Sequence, residues 1–144
     1  MIRIDHFFIQ KCKENFQFFL TASIRDFPPS ITVTSQGEAG QRLAVLMGRY
    51  ELDTSRAAML RPVYRKTDGD YYIYYTSKRE YVCWSTLLFV AVYTSWMIGP
   101  NITDYAGWIK SQEVGLQTIP TSGWSFVDER SQYVHDDKLF FIYN

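Results

Sequence analysis

Between Tyr81 and Ile98 the chain reads YVCWSTLLFVAVYTSWMI, without an Asp, Glu, Lys or Arg. So long an apolar run has to be hidden, and there are few ways to hide it. As a helix it would rise about 27 Å, close to the ~30 Å hydrocarbon core of a bilayer. Lys78 and Arg79 at its start, and Tyr81, Trp84, Tyr93 and Trp96 towards its ends, match the cations and interfacial aromatics that flank such spans. As strands it fits at least as well. Val82, Thr86, Val90, Val92 and Thr94 are β-branched, and Ser85, Thr86, Thr94 and Ser95 interrupt the apolar run. Left uncovered, LLFVAV would be an aggregation hazard, with strand propensity and neither charge nor proline.

The flanks bear on the choice. YYIYYTS at 71–77 and SWMIGP at 95–100 would make an ordinary hairpin if the stretch between them were removed. A membrane span would place these two partners on opposite sides of a bilayer, each with an unpaired edge. The expectation is therefore a strand or strand pair inserted at about 78–94 into a soluble β module. The alternative is a small single-span membrane protein anchored by residues 81–98. In that topology the sequon Asn101-Ile102-Thr103 would lie outside and become a glycosylation site, as it would in a secreted chain.

Composition supports strands. The 144 residues include ten Phe, eleven Tyr and four Trp, side chains suited to a pleated, half-buried surface. Fifteen basic residues balance fifteen acidic ones, so no net field gathers nucleic acid, and none is expected as a partner. Cys12 and Cys83 belong to no zinc spacing and form no disulfide framework; neither metal nor cofactor is expected.

Along residues 1–27, Ile4, Phe8, Cys12, Phe16 and Phe19 recur at helical spacing opposite a polar arc, which predicts an amphipathic helix. Asp5, Lys11, Lys13 and Glu14 interrupt the hydrophobic region a secretory leader would need. Pro28 and Pro29 end the helix. Residues 28–144 then form the β module. Its short runs ITVTS, RLAVLMGRYEL, RPVYRK, YYIYYTS, SWMIGPN, AGWIKSQ, GWSFVDE and KLFFIYN are separated by Gly, Pro, Asn and Asp punctuation. The Asp68-Gly69 turn in RPVYRKTDGDYYIYYTS marks a hairpin. The expected fold is mostly β, a small antiparallel meander closing into a barrel or sandwich, preceded by the N-terminal amphipathic helix.

The order Gly48, Tyr50, then Arg61-Pro62-Val63-Tyr64, an acidic-Gly turn, Tyr74 and Tyr75, Trp96, Ile98 and Gly99, Trp108 and Trp124 resembles a short aromatic-rich β module of eukaryotic multidomain and uncharacterised proteins. The resemblance spans about residues 31–144. It implies a β fold and carries no catalytic residues. In that module the Tyr-rich strand turns directly into the Trp-x-Ile-Gly strand, which is why the stretch between Ser77 and Ser95 reads as an insertion.

His135 beside Asp136 and Asp137 is the sole candidate for acid–base chemistry, but adjacent strand residues face opposite ways, and Asp136-Asp137-Lys138 reads as the turn before the last strand. GEAGQR at 37–42 reads as a loop. No nucleophile elbow, phosphate loop or complete calcium loop occurs. Aromatic faces on a β scaffold can stack on sugar rings or grip a peptide, which makes Tyr72, Tyr74, Trp96, Trp108 and Trp124 the candidate binding residues. Alternation sends Tyr72 and Tyr74 to one face and Tyr71 and Tyr75 to the other, so that one face can be core and the other a surface patch. The functional expectation is a non-catalytic module recognising a protein or a glycan.

Overall fold

The computed structural model describes residues 27–84, 87–112 and 118–144. Among the described residues nine antiparallel strands form one sheet: β1 (Ser30–Ser35), β2 (Gly48–Ala58), β3 (Arg61–Lys66), β4 (Tyr72–Trp84), β5 (Leu87–Gly99), β6 (Ile109–Ser111), β7 (Trp124–Val127), β8 (Tyr133–Asp136) and β9 (Leu139–Tyr143). The spatial order is β8-β7-β6-β5-β4-β3-β2-β1-β9, so each strand up to β8 lies beside its neighbour in sequence and β9 adds outside β1. The two end strands are joined by the tight turn at Asp137 and Lys138, and the sheet curls into a nearly closed barrel. The remaining seam is bridged by the segment before β7. Phe141 N donates to Thr121 O at 2.9 Å, the Tyr143 hydroxyl donates to Ile119 O, and the Trp124 ring stacks on Phe141 at 3.8 Å.

Alternation builds the interior. Ile31 and Val33 of β1, Tyr50 of β2, Tyr64 of β3, Ile73 and Tyr75 of β4, Trp96 and Ile98 of β5, Ile109 of β6, Trp124 and Phe126 of β7, and Leu139 and Phe141 of β9 meet in one buried cluster. Each such side chain contributes about 1.5–3 kcal/mol on burial. Exposed ion pairs such as Arg42–Glu38 and Arg65–Asp70 are worth about 0–1 kcal/mol each, so the aromatic and aliphatic core dominates.

The apolar stretch of the sequence is a hairpin. β4 and β5 pair in one uninterrupted register from Tyr72↔Gly99 through Thr76↔Ser95 and Ser77↔Thr94 to Trp84↔Leu87. The segments flanking residues 78–94 thus lie side by side, as the strand-pair expectation requires. The single helical span weighed as the alternative is not formed here, since residues up to Trp84 and from Leu87 onwards are strand. Among the described residues no helix is long and apolar enough to cross a membrane, which says nothing about strands. The predicted amphipathic helix over 1–27 lies outside the described residues except for Phe27, which is buried against Trp96 with ring centres 6.0 Å apart.

Two local expectations are corrected. GEAGQR is not a plain loop: Glu38–Arg42 forms a short helix, α1, followed by a 3-10 turn at Ala44–Leu46, so RLAVLMGRYEL becomes strand only from Gly48. The cause is tertiary. Asp136, 6% exposed at the end of β8, accepts hydrogen bonds at Oδ2 from Ser35 Oγ (2.8 Å) and from Ala39 N in α1 (3.1 Å), and at Oδ1 from Lys138 N (2.9 Å). One carboxylate thereby ties together β1, α1 and the β8–β9 turn.

Burial of Asp136 opposes its ionisation, but the hydrogen bonds from Lys138 N, Ser35 Oγ and Ala39 N outweigh it and hold the carboxyl below its ordinary pKa. A depressed folded-state pKa means that this stabilisation is complete above the ordinary carboxylate pKa near 4 and is lost as pH falls through the lower folded value. Asp136→Asn is expected to lower the urea unfolding free energy at neutral pH by about 1.5–3 kcal/mol. The gap to wild type should narrow as the pH is taken below 4. A pH-independent difference would contradict the assignment.

Candidate functional site

The five aromatic candidates do not share a surface. Trp96 and Trp124 are fully buried, and Tyr72 and Tyr74 nearly so. Trp96 packs edge-on to Tyr75 at 5.3 Å, and Trp124 donates from Nε1 to Pro120 O at 3.1 Å. Alternation on β4 holds: Tyr75 and Ile73 enter the main core, while Tyr72 and Tyr74 point the other way. The second face is nevertheless not an open patch. Tyr72 and Tyr74 join Ala58, Val63 and Met97 in a second buried cluster, with Ile102 and Tyr105 of the loop after β5 packed on it. Arg56 lies 4.9 Å over the Tyr72 ring on this side, and Arg61 lies 3.7 Å over Tyr75.

That loop, residues 100–107, is pinned by tyrosines. Tyr74 donates its hydroxyl to Asp104 O (2.9 Å), Tyr133 donates to Gly107 O, and Tyr105 Oη lies 3.3 Å from Ser95 Oγ. Asn101, the sequon residue, is exposed at the loop's start. Its Oδ1 accepts from Thr103 N (3.0 Å) and Thr103 Oγ1 (2.7 Å), and its Nδ2 donates to Asp104 Oδ2 (3.0 Å).

Of the five candidates, Trp108 alone reaches solvent, at 36% exposure. Its backbone is held on both sides: Trp108 N donates to Ile98 O (2.8 Å), and Trp108 O accepts from Val127 N (2.8 Å). Its ring meets half-buried Tyr71 at 5.8 Å and a 50° tilt. Two residues on in sequence, Lys110 Nζ sits 4.1 Å over the ring of Tyr133, whose hydroxyl is bound at Gly107. Tyr71 and Trp108 thus form an aromatic platform, and Lys110 caps the separate ring of Tyr133.

Of these four residues, Lys110 and Tyr133 are not singled out by the sequence, whereas Tyr71 belongs to its tyrosine run. Lys110 stands two residues after Trp108, but the strand begins only at Ile109, so alternation along it does not relate the two. Tyr133 was not legible either, since only the β6-β7-β8 pairing brings it there.

The acid–base candidate is taken apart by the fold. His135 is exposed, with Nδ1 3.1 Å from Trp124 O, while the Asp136 carboxylate is engaged by Ser35, Ala39 and Lys138. No cluster of three His, Cys, Asp or Glu able to hold a metal occurs among the described residues. A cleft of about 560 Å³ runs along the bulge in β2, where the register with β3 shifts between Asp53 and Ala57; Glu51, Asp53, Arg56 and Arg65 line it. Its charges are already paired, Arg56 with Asp53 at 3.5 Å and Arg65 with Asp70 at 2.7 Å. Comparison with family models, with curated proteins and with solved structures returns no match.

Gly107 forms a close crossing immediately before Trp108. A Cβ there would stand 2.8 Å from both Ile98 O and Met97 Cβ, and Gly99 approaches from the other strand with its own Cβ position 3.0 Å from Gly107 Cα. The Trp108 N to Ile98 O bond, 2.8 Å, holds the two backbones together at this point. Gly107→Ala is therefore expected to cost about 1–3 kcal/mol in urea unfolding, as overpacking of a closed interior does. A fully neutral result would show that the loop does not hold this close crossing.

Proposed function

We propose that this domain is a non-catalytic recognition module that binds protein or carbohydrate through the aromatic platform centred on Trp108. The single observation that supports the reading is the position of this indole. It is the one candidate aromatic left at the surface, and its main chain is hydrogen-bonded on both sides. A preformed aromatic face loses little conformational freedom on binding. Such faces stack on the apolar side of a sugar ring or hold a peptide side chain. Tyr71 widens the face. No cofactor is needed for binding of this kind.

Screening the purified chain against glycan and peptide arrays, followed by titration of the best ligand, tests the proposal and decides between the two ligand classes. Trp108→Ala is expected to weaken binding by roughly thirtyfold or more, the loss of about 2 kcal/mol typical of a central aromatic anchor. Phe140→Ala, an exposed aromatic on β9, should leave affinity unchanged. Equal affinity in wild type and Trp108→Ala, or no binding to either array, would contradict the reading.

A further inference from the structure

The β4–β5 pair outruns the barrel in which it starts. Among the described residues β3 pairs with β4 only at Tyr64↔Ile73 and Arg65↔Tyr72, and β6 pairs with β5 only at Met97 and Ile98, whereas β4 and β5 stay paired out to Trp84↔Leu87. Burial fades along the barrel-side face of this ribbon. On β5 it falls from fully buried Trp96 through half-buried Thr94 to Val92 at 55% exposure, and on β4 from buried Tyr75 through half-buried Ser77 to exposed Arg79. A two-stranded ribbon is marginal in water, and packing against one of its faces is what makes it hold.

The chain itself arrives at that face. Phe27 is buried against Trp96 with ring centres 6.0 Å apart, and the Tyr64 hydroxyl donates to Pro28 O at 2.7 Å. Residues 1–26 therefore join the barrel where the uncovered face of the ribbon begins. Their apolar positions Ile4, Phe8, Cys12, Phe16 and Phe19 recur at helical spacing. The lengths agree. Counted back from Phe27 along a helix at ~1.5 Å per residue, Phe19 lies ~12 Å and Cys12 ~22 Å out. Counted outward along the ribbon from Trp96 and Tyr75 at ~3.3 Å per residue, Val92 lies ~13 Å and Cys83 ~26 Å out. Cys83 is an even number of residues from Tyr75 in an unbroken register, so its position belongs to the same face.

We propose that residues 4–26 form an amphipathic helix laid along the barrel-side face of the β4–β5 ribbon, with Phe19 over Val92 and Cys12 level with Cys83. The helix continues the barrel core outward from Trp96 and covers the uncharged run from Leu87 to Val92. Arg79 shares this face at the ribbon's base; its apolar stem lies along the helix while its guanidinium reaches water past the β4 edge. The occupant is this chain's own segment because Phe27 tethers it to the start of the face, at an effective concentration that a separate molecule would have to match in solution.

The two native thiols test the arrangement in the full chain. A short bis-maleimide is expected to link Cys12 to Cys83 within one chain, read in the intact mass of the monomer as one reagent added with both thiols consumed. Cys12→Ser with Gln10→Cys moves the first thiol to the polar arc of the helix. Linking should then slow about tenfold or more, since a docked helix holds one face to the ribbon where a loose tether samples both. Phe16→Asp with Phe19→Asp should slow linking of Cys12 to the same extent while the far-ultraviolet circular dichroism keeps its β character. Equal rates from positions 10 and 12, linkage only between two chains, or no linkage at all would overturn the proposal. Because the comparison of positions 10 and 12 decides on its own, an aspartate variant that fails to fold does not rescue the idea.

Discussion

The continuous pairing of β4 with β5 is the constraint on which the rest of the molecule depends. Once Tyr72 faces Gly99 and Trp84 faces Leu87, alternation along both strands sends Ile73, Tyr75, Trp96 and Ile98 to one side and Tyr72, Tyr74 and Met97 to the other. The first set becomes the wall of the barrel interior. The second becomes the floor on which the loop of residues 100–107 is laid. β3 and β6 attach at the base of this pair, and the remaining strands follow in sequence until β9 returns to β1. A slip of one residue in this register would exchange the two faces and lose both clusters.

Aromatic residues do most of the remaining structural work, and they do it as clamps as well as filler. The hydroxyls of Tyr50, Tyr64 and Tyr74 donate to the carbonyls of Leu46, Pro28 and Asp104, and the Trp124 indole donates to Pro120. Each of these bonds joins a strand to the irregular segment that covers it. Burial pushes the three phenols above their ordinary pKa, which keeps them protonated and donating across the physiological range. The high aromatic content therefore belongs to the architecture before it belongs to any ligand, and the platform at Trp108 is what is left over.

Much of this was legible in the chain. RPVYRKTDGDYYIYYTS carries a period of two and an Asp-Gly turn, and it is β3 followed by β4. The incompatibility between a membrane span and two strands needing each other's hydrogen bonds pointed to the pairing that β4 and β5 form. What could not be read depends on contacts distant in sequence. The β2–β3 turn is Met59-Leu60, both with positive φ, where Asn and Gly would have announced a two-residue hairpin turn. α1 spans only five residues, too short to show a helical period, and is anchored by Asp136, almost a hundred residues later. Whether a given tryptophan is core or surface depends on what lies across the sheet from it. Trp108 follows the close crossing of Gly107 and Gly99, a contact with no local signature.

A designed disulfide measures the central pairing most directly. In a Cys12→Ser, Cys83→Ser background, Ser77→Cys and Thr94→Cys place two thiols at directly opposed positions. Opposed residues of an antiparallel pair have Cα atoms ~4.5–5.5 Å apart, within the range a disulfide spans. Mild oxidation is expected to form the bond within one chain, read as a mobility shift and the loss of two hydrogens in intact mass. A helix through the same stretch would hold these positions about 25 Å apart. Thiols that stay free under oxidation would contradict the hairpin and everything built on it.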